Sequence, residues 1–208
     1  MSIDALTLPL ANLVNVRGGY PFRSAIPESR RGVVRVVQMK DVDPAGGIDW
    51  THLIPTDLIG RRTPDWLESG DILFVSRGNR LFATCLDAPP LPTICSPHFF
   101  HLRAKSTARV LPQFLAWQIN QPPLQRKLQA AAEGSSQLSI RRPELEALPI
   151  SLPSLDDQKR IVRLAHSASR ERSLLQALIR NREQHLEAIA VLLSQADGTT
   201  EQQAQKSP

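Results

Sequence analysis

The side chains best suited to acid–base or metal chemistry are His98, His101 and Asp71. In an extended segment, residues three apart point to opposite faces, so the two histidines are not expected to share a metal ion. Asp71 follows Gly70, a pairing typical of turns. The sequence has no G-x-x-x-x-G-K-[ST], H-E-x-x-H or G-x-S-x-G motif. No residue set therefore supports an enzyme, and no metal site is predicted.

The two cysteines, Cys85 and Cys95, each lie in an apolar run. Two are too few for a disulfide framework, and we expect both to be small core residues in a cytoplasmic protein. No run of about 18 apolar residues is present, and the N-terminal residues lack the basic region of a signal peptide. Neither a membrane partner nor export is expected.

The charge is uneven along the chain. Residues 1–155 carry 17 basic against 13 acidic side chains, and residues 156–208 carry 8 against 7. Arginine outnumbers lysine 20 to 5, and its planar fork suits phosphates and guanine edges. A GC-rich genome that encodes arginine in place of lysine accounts for the same bias equally well.

Loops of the first part of the chain concentrate basic and amide side chains, and a pair of glycines there allows close approach of the backbone to a phosphate. Asn79 and Gln137 have the amide groups that pair with adenine. Singly, each such residue is more often a solvated surface residue. Taken together they predict contacts with double-stranded DNA, made by Arg17, Gly19, Arg35, Lys40, Arg61, Arg62, Arg77, Asn79, Arg80, Ser135, Ser136 and Gln137.

The elements that position these residues follow from periodicity. Strands are predicted at 33–38, 71–76 and 81–86, the last two forming a hairpin around the basic turn 77–80. A β-like run covers 91–103, in which Pro97 predicts a bulge or an edge. Helices are predicted at 112–120 and 124–132. Residues 1–155 therefore form an α/β or α+β domain with mixed or antiparallel strands.

A long helix is predicted from Asp156 to Ala196, followed by a disordered polar tail at 197–208. Its apolar residues alternate spacings of four and three, which is typical of a coiled coil and implies a partner helix. The stretch 134–158 joins the two parts as a polar loop, a short helix, a short strand and a Pro-bounded helix start. The predicted seam is Ile161, Ala165, Ala168, Arg172, Leu175, Ile179, Arg182, Leu186, Ile189 and Leu193.

Several of these segments resemble motifs of the DNA specificity subunits of type I restriction–modification systems. Residues 70–74 (GDILF), followed by Arg77-Gly78, are similar to the G-D-I-L-[FV]…R-G segment of their target-recognition domains. Residues 134–162 resemble the family's boundary between recognition domain and conserved helix, G-[ST]-x-x…L-x-x-I-x-I-P-L-P-P-L-x-E-Q-x-x-I. Leu148 and Asp157 depart from it where Ile and Glu are usual. Smaller likenesses lie in Gly19-Tyr20-Pro21-Phe22 and in Phe114-Leu115 with Asn120.

The resemblance implies a half-subunit, because a full specificity subunit carries two recognition domains and two conserved helices. It implies a non-catalytic chain that pairs with a second copy or a second specificity chain, and a homodimer would read an interrupted palindrome. It also implies docking to an adenine-N6 methyltransferase, with S-adenosylmethionine bound by that partner and no cofactor on this chain. A restriction subunit would join in a complete phage-defence complex.

Two interpretations stay open. In the first, the chain is a sequence-specific DNA-binding specificity subunit. In the second, it is an interaction adaptor of a defence complex that uses the same fold without reading sequence. Dependence of binding on the bases distinguishes them, and alanine at Arg77 and Arg80 relaxes or abolishes that dependence only under the first.

Overall fold

The computed structural model describes residues 6–22, 25–43, 47–58, 63–90, 92–134 and 137–204, with side chains to residue 194. The chain divides into two compact units, residues 1–163 and 164–208. The first unit is a mixed α/β body, and the described part of the second belongs to one long helix. The predicted fold class is confirmed.

The described elements follow one another in short pieces, as expected for a chain with 17 prolines. The strands are β1 (Leu6–Pro9), β2 (Val14–Gly18), β3 (Val34–Val37), β4 (Val42–Asp43), β5 (Gly47–Ile48), β6 (Ile54–Thr56), β7 (Ile72–Val75), β8 (Arg77–Gly78), β9 (Ala83–Cys85), β10 (Thr93–Cys95), β11 (Phe99–Ala104), β12 (Leu138–Ser139) and β13 (Pro149–Leu152). The helices are α1 (Leu10–Leu13), α2 (Pro112–Ile119), α3 (Pro122–Ala131), α4 (Arg142–Glu146) and α5 (Leu155–Ala204), with a 3₁₀ turn at Met39–Asp41.

Strand β7 lies inside the largest sheet, whose strand order is β2-β11-β7-β9. Its side chains alternate between two cores, because successive residues of a strand face opposite sides. Ile72 and Phe74 enter a core shared with α1, α2, α3 and α4, whereas Leu73 and Val75 enter a second core with Phe99. Both faces are therefore buried, which explains the uninterrupted apolar run. The predicted hairpin is present as the antiparallel pair β7–β9.

The segment 91–103 is two strands rather than one with a bulge. Pro97 lies in a turn between β10 and β11. Strand β10 joins a second sheet, parallel to β3, whereas β11 pairs with β2 and β7 in the first. Proline has no N–H to donate to a ladder, so the chain changes sheet at this point.

The two ends of the body are neighbours, because β1 pairs antiparallel with β13 from Leu6↔Leu152 to Pro9↔Pro149. The segment after residue 134 contains β12, α4, β13 and the start of α5, in the predicted order.

Helix α5 begins shortly after Pro153, and its first turn is capped by side-chain hydrogen bonds. The Asp157 N–H donates to Ser154 Oγ at 3.1 Å, and the Ser154 hydroxyl donates to Asp157 Oδ2 at 2.7 Å.

Helix α5 continues to Ala204, eight residues beyond the predicted end at Ala196. The expectation of a disordered tail from Asp197 therefore does not hold for 197–204, and 205–208 lie outside the described residues. The sequence contains no proline between Pro153 and Pro208, so nothing there removes a helical N–H. None of the helices in the described part of the chain combines the length and apolarity needed to cross a bilayer.

Candidate nucleic-acid interface

Three segments distant in sequence meet around Gly78. Strand β8 pairs with β12, setting Gly78 opposite Leu138 and Arg77 opposite Ser139. From the other side, Met39 Sδ lies 3.5 Å from the position that a Cβ on Gly78 would take. The segments 39–40, 77–80 and 137–139 are therefore neighbours, and their exposed residues are here grouped as the Gly78 surface.

The side chains of the Gly78 surface have the chemistry that DNA requires. Its exposed polar residues are Lys40, Arg77, Asn79, Arg80 and Gln137, five of the residues predicted from sequence. Cations bind phosphates, and the guanidinium and amide groups match guanine and adenine edges. In the 3₁₀ turn, the neighbouring carboxylate of Asp41 is buried and accepts the Gln38 N–H at 2.8 Å, so it is not exposed to contact an incoming phosphate directly.

Hydrogen bonds to backbone carbonyls connect the segments next to the Gly78 surface. The N–H and the hydroxyl of Ser76 both donate to the carbonyl of His98 at 2.9 Å. The Ile140 N–H donates to the carbonyl of Ser76 at 3.0 Å. These bonds connect the β7–β8 junction, the turn before β11 and the segment after β12. Loops that read bases need such fixed supports, because small displacements misalign a bidentate contact.

Other predicted DNA-binding residues lie elsewhere. Arg17, at the end of β2, forms an ion pair with Asp65. Arg35, in β3, donates to the carbonyl of Gly32 at 3.2 Å. Four more, Arg61, Arg62, Ser135 and Ser136, lie outside the described residues.

Gly19 has a structural role within the fold. A Cβ at this position would lie 1.9 Å from the carbonyl oxygen of Ser96, closer than any side chain allows. The Gly19 N–H also donates to the carbonyl of Phe99 at 3.0 Å. Its backbone therefore approaches the chain's own β10–β11 turn, whereas the sequence predicted an approach to phosphate.

Asp71 is the centre of a buried polar network that the sequence indicated only as a turn. It accepts the Glu68 N–H at 2.7 Å, which is the expected turn chemistry. Its carboxylate also accepts two hydrogen bonds from Arg103 at 2.7 Å. His101 Nε2 lies 2.8 Å from Asp71 Oδ2, outside hydrogen-bond geometry. The available signal was the spacing of His101 and Arg103, two apart and so on one face of β11.

The pKa of Asp71 reflects two opposing causes. Burial raises the pKa, but the hydrogen bonds from Arg103, together with His101 and the Glu68 N–H, outweigh burial and hold it at about 2. The carboxylate is therefore ionised throughout the neutral range. Because Arg103 neutralises it, Asp71 serves the fold and is not poised as a general base.

The cysteines have no reactive character. Burial raises the pKa of both the Cys85 and the Cys95 thiol to about 12. This agrees with their predicted role as small core residues. Among the described residues, no three His, Cys, Asp or Glu side chains come close enough to hold a metal ion.

Gln158 fixes the start of α5 to the body. Its side chain is completely buried, and its amide N–H groups donate to the carbonyls of Arg109 and Pro153, both at 3.0 Å. Its amide oxygen accepts the Leu111 N–H at 2.9 Å. Both amide N–H groups and the amide oxygen therefore have a partner. Gln158 thus connects the first turn of α5 to the segment 109–111.

Replacing Gln158 with glutamate is expected to destabilise the body by about 2–3 kcal/mol at neutral pH, because a carboxylate would face two carbonyl oxygens. The introduced acid has a raised folded-state pKa, so the loss should be largest above the unfolded value of about 4.3 and smaller below it. Urea unfolding at two pH values measures this. Gln129→Glu, the same change on the exposed face of α3, should leave the unfolding midpoint nearly unchanged.

Helix α5 exposes an apolar stripe. The predicted seam residues Leu175, Ile179, Leu186, Ile189 and Leu193 are 53–67% exposed. Leu164, Leu178 and Leu192, which each precede a seam position by one residue, are also exposed and widen the stripe. Ala168 is exposed as well, whereas Ile161 is half-buried and packs against the body's own core.

The sequence matches no protein-family model and no curated protein. The fold is shared with solved structures of restriction–modification proteins. The type I system S subunit from M. genitalium is 15% identical, with a TM-score of 0.54 over 78% of this chain and 38% of that chain. The HsdS subunit from Thermoanaerobacter tengcongensis is 18% identical, with a TM-score of 0.54 over 83% and 39%.

A chain from a structure on complex assembly and conformational transition of the type I R-M system is 17% identical, with a TM-score of 0.62 over 89% of this chain and 43% of that chain. The present chain therefore spans about two fifths of the length of each of these chains. At these identities the likeness establishes the fold: a mixed α/β domain followed by a long helix.

Proposed function

We propose that this chain is a non-catalytic DNA-specificity module with one recognition domain, acting in the cytoplasm as part of a type I-like restriction–modification or related phage-defence system. The observation that carries the proposal is the convergence of Lys40, Arg77, Asn79, Arg80 and Gln137 on the Gly78 surface. The shared fold with S subunits supports it. In this proposal the Gly78 surface reads bases in a groove of double-stranded DNA.

We further propose that helix α5 assembles the complex. Its stripe fits a second copy of this chain or a second specificity chain, and so completes a two-part target. A DNA adenine-N6 methyltransferase, which binds S-adenosylmethionine, supplies the chemistry, and a restriction subunit joins where cleavage occurs. The exposed apolar residues of α5 support an assembly role, because such a stripe is unfavourable in water.

The reading of bases is tested with Asn79→Ala/Arg80→Ala. Each base contact contributes roughly 1–3 kcal/mol of discrimination, so the double variant should lose most preference for the selected sequence while retaining weak general binding. Selection from a random duplex pool, followed by sequencing of the bound fraction, measures this. Arg126→Ala/Gln129→Ala removes the same two chemical groups from the exposed face of α3 and should keep the preference.

The alternative is an interaction adaptor that assembles through α5 without reading sequence. The exposed stripe favours assembly under either proposal. In the adaptor case, the unmodified chain shows no base preference, and the Asn79/Arg80 variant assembles and binds as the unmodified chain does. Undetectable DNA binding at low salt, alone and with a methyltransferase partner, would overturn the specificity proposal.

A further inference from the structure

We propose that a basic track beside the Gly78 surface holds the phosphodiester backbone of the DNA, an inference that rests on the proposed function. The track consists of two adjoining clefts that share Arg142. The first, about 420 Å³, lies between the β7–β8 junction, the turn before β11 and the start of α4. The second, about 370 Å³, lies along strand β2, whose residues alternate between buried and exposed at 14–17.

The track is strongly basic. Its first cleft is lined by Arg77, His98, Arg141 and Arg142 and by no acidic residue. The second adds Lys105 and Arg17 to Arg142, although Arg17 is already ion-paired with Asp65, and Glu146 is its one acidic lining residue. Within the described residues, the side chain of Arg77 has no hydrogen-bond or ion-pair partner, so its full charge is available to a phosphate.

The ion pairs along the track are of a kind that a phosphate can replace. Arg141 lies 3.1 Å from Glu133, and both side chains are largely exposed. Arg142 lies 2.7 Å from Glu146, one helical turn away in α4. Exposed ion pairs of this type contribute little to stability. A phosphate that accepts two parallel hydrogen bonds from one guanidinium therefore competes with them effectively.

An extended polyanion fits the track better than a single small anion does. Arg142 lines both clefts, and Arg77 belongs to both the first cleft and the Gly78 surface. Duplex DNA carries about one negative charge per 1.7 Å of its axis, so a strand lying along the track meets successive cations. Pro97 and Phe100 line the first cleft as an apolar floor against which a deoxyribose can pack.

This arrangement assigns different tasks to neighbouring residues. Arg141, Arg142 and Lys105 fix the position of the backbone, while Asn79 and Arg80 meet base edges. Lys105 is held for this task, since its Nζ donates to the carbonyl of Ala11 at 2.6 Å. None of these three cations was among the residues predicted from sequence to bind DNA.

The test measures the affinity of the full chain for a random duplex pool between about 50 and 200 mM salt. Arg141→Gln/Arg142→Gln should weaken binding about tenfold or more, lower the slope of log K against log salt by about 1–2, and leave the selected sequence unchanged. Arg126→Gln/Lys127→Gln, two exposed cations on α3, should produce much smaller changes. Glu146→Gln should tighten binding, because it removes the acidic group of the track.

Three outcomes overturn the proposal. If Arg141→Gln/Arg142→Gln binds as the α3 control does, the backbone does not lie on the track, and an acidic protein partner becomes the better occupant. If the variant changes the selected sequence, the track reads bases. If the unmodified chain does not bind DNA at all, the proposed function fails first, and the track as a DNA site fails with it. Unfolding midpoints equal to that of the unmodified chain show that each effect is local.

Discussion

Replacing Asp71 with alanine is expected to destabilise the folded body by about 3–5 kcal/mol, the cost of removing one partner from a buried charged network. Asp71 is 2% exposed, and its removal leaves Arg103 without two hydrogen bonds and the Glu68 N–H without its acceptor. Asp71→Asn keeps the volume and should cost somewhat less. Urea denaturation followed by circular dichroism measures both changes.

A surface pair provides the matched control. Asp65→Asn makes the same chemical change at an ion pair with Arg17, whose side chain is 59% exposed, and should cost no more than about 1 kcal/mol. Equal losses for Asp65→Asn and Asp71→Asn would contradict the central role of the buried network.

The contribution of Asp71 depends on pH in a defined direction. Its folded-state pKa, about 2, lies below the ordinary value of 3.8, so its stabilisation is fully present above about pH 4. It is lost as the pH falls from about 4 through 2, and amounts to roughly 2 kcal/mol. The difference in unfolding free energy between the unmodified chain and Asp71→Asn should therefore shrink over this range. A difference that stays constant to pH 2 would contradict the assignment.

Elements whose signal is local could be predicted from the sequence. The strand at β7 follows from an apolar run behind Gly70-Asp71, and α2 follows from Pro112 with a periodic apolar face. The boundary segment was predicted in its correct order because a proline, a strand and a capped helix start are each encoded within a few residues. The length of α5 was underestimated, since polar residues without proline can continue a helix as well as end it.

Placement of the site could not be predicted, because it depends on pairs far apart in sequence. Arg17 and Arg77 look equivalent in the sequence, yet Arg17 has Asp65 within reach and Arg77 faces solvent. The convergence at Gly78 requires β8 to pair with β12, about sixty residues away, and no local pattern encodes that register. Similarly, the Asp71 turn was recognisable, but its partners on β11 were not.

Leu175→Glu/Ile179→Glu is expected to abolish the assembly proposed for α5. These two residues lie one turn apart in the stripe and are about 55% exposed in the single chain, so they are free to contact a partner helix. Burying two carboxylates in an apolar seam costs several kcal/mol, and each 1.4 kcal/mol corresponds to a tenfold change in affinity. Association should weaken by about 100-fold or more. Light scattering across a concentration series, with and without a methyltransferase partner, measures this.

The opposite face of the same helix provides the control. Ala177→Glu/Gln184→Glu adds the same two charges there, at positions exposed in the single chain, and should leave association intact. Arg182 interrupts the apolar stripe. Arg182→Leu should therefore strengthen the association of the helices. The assignment of the stripe as an interface is wrong if the Leu175/Ile179 variant keeps its mass and its partner while its helical content is unchanged.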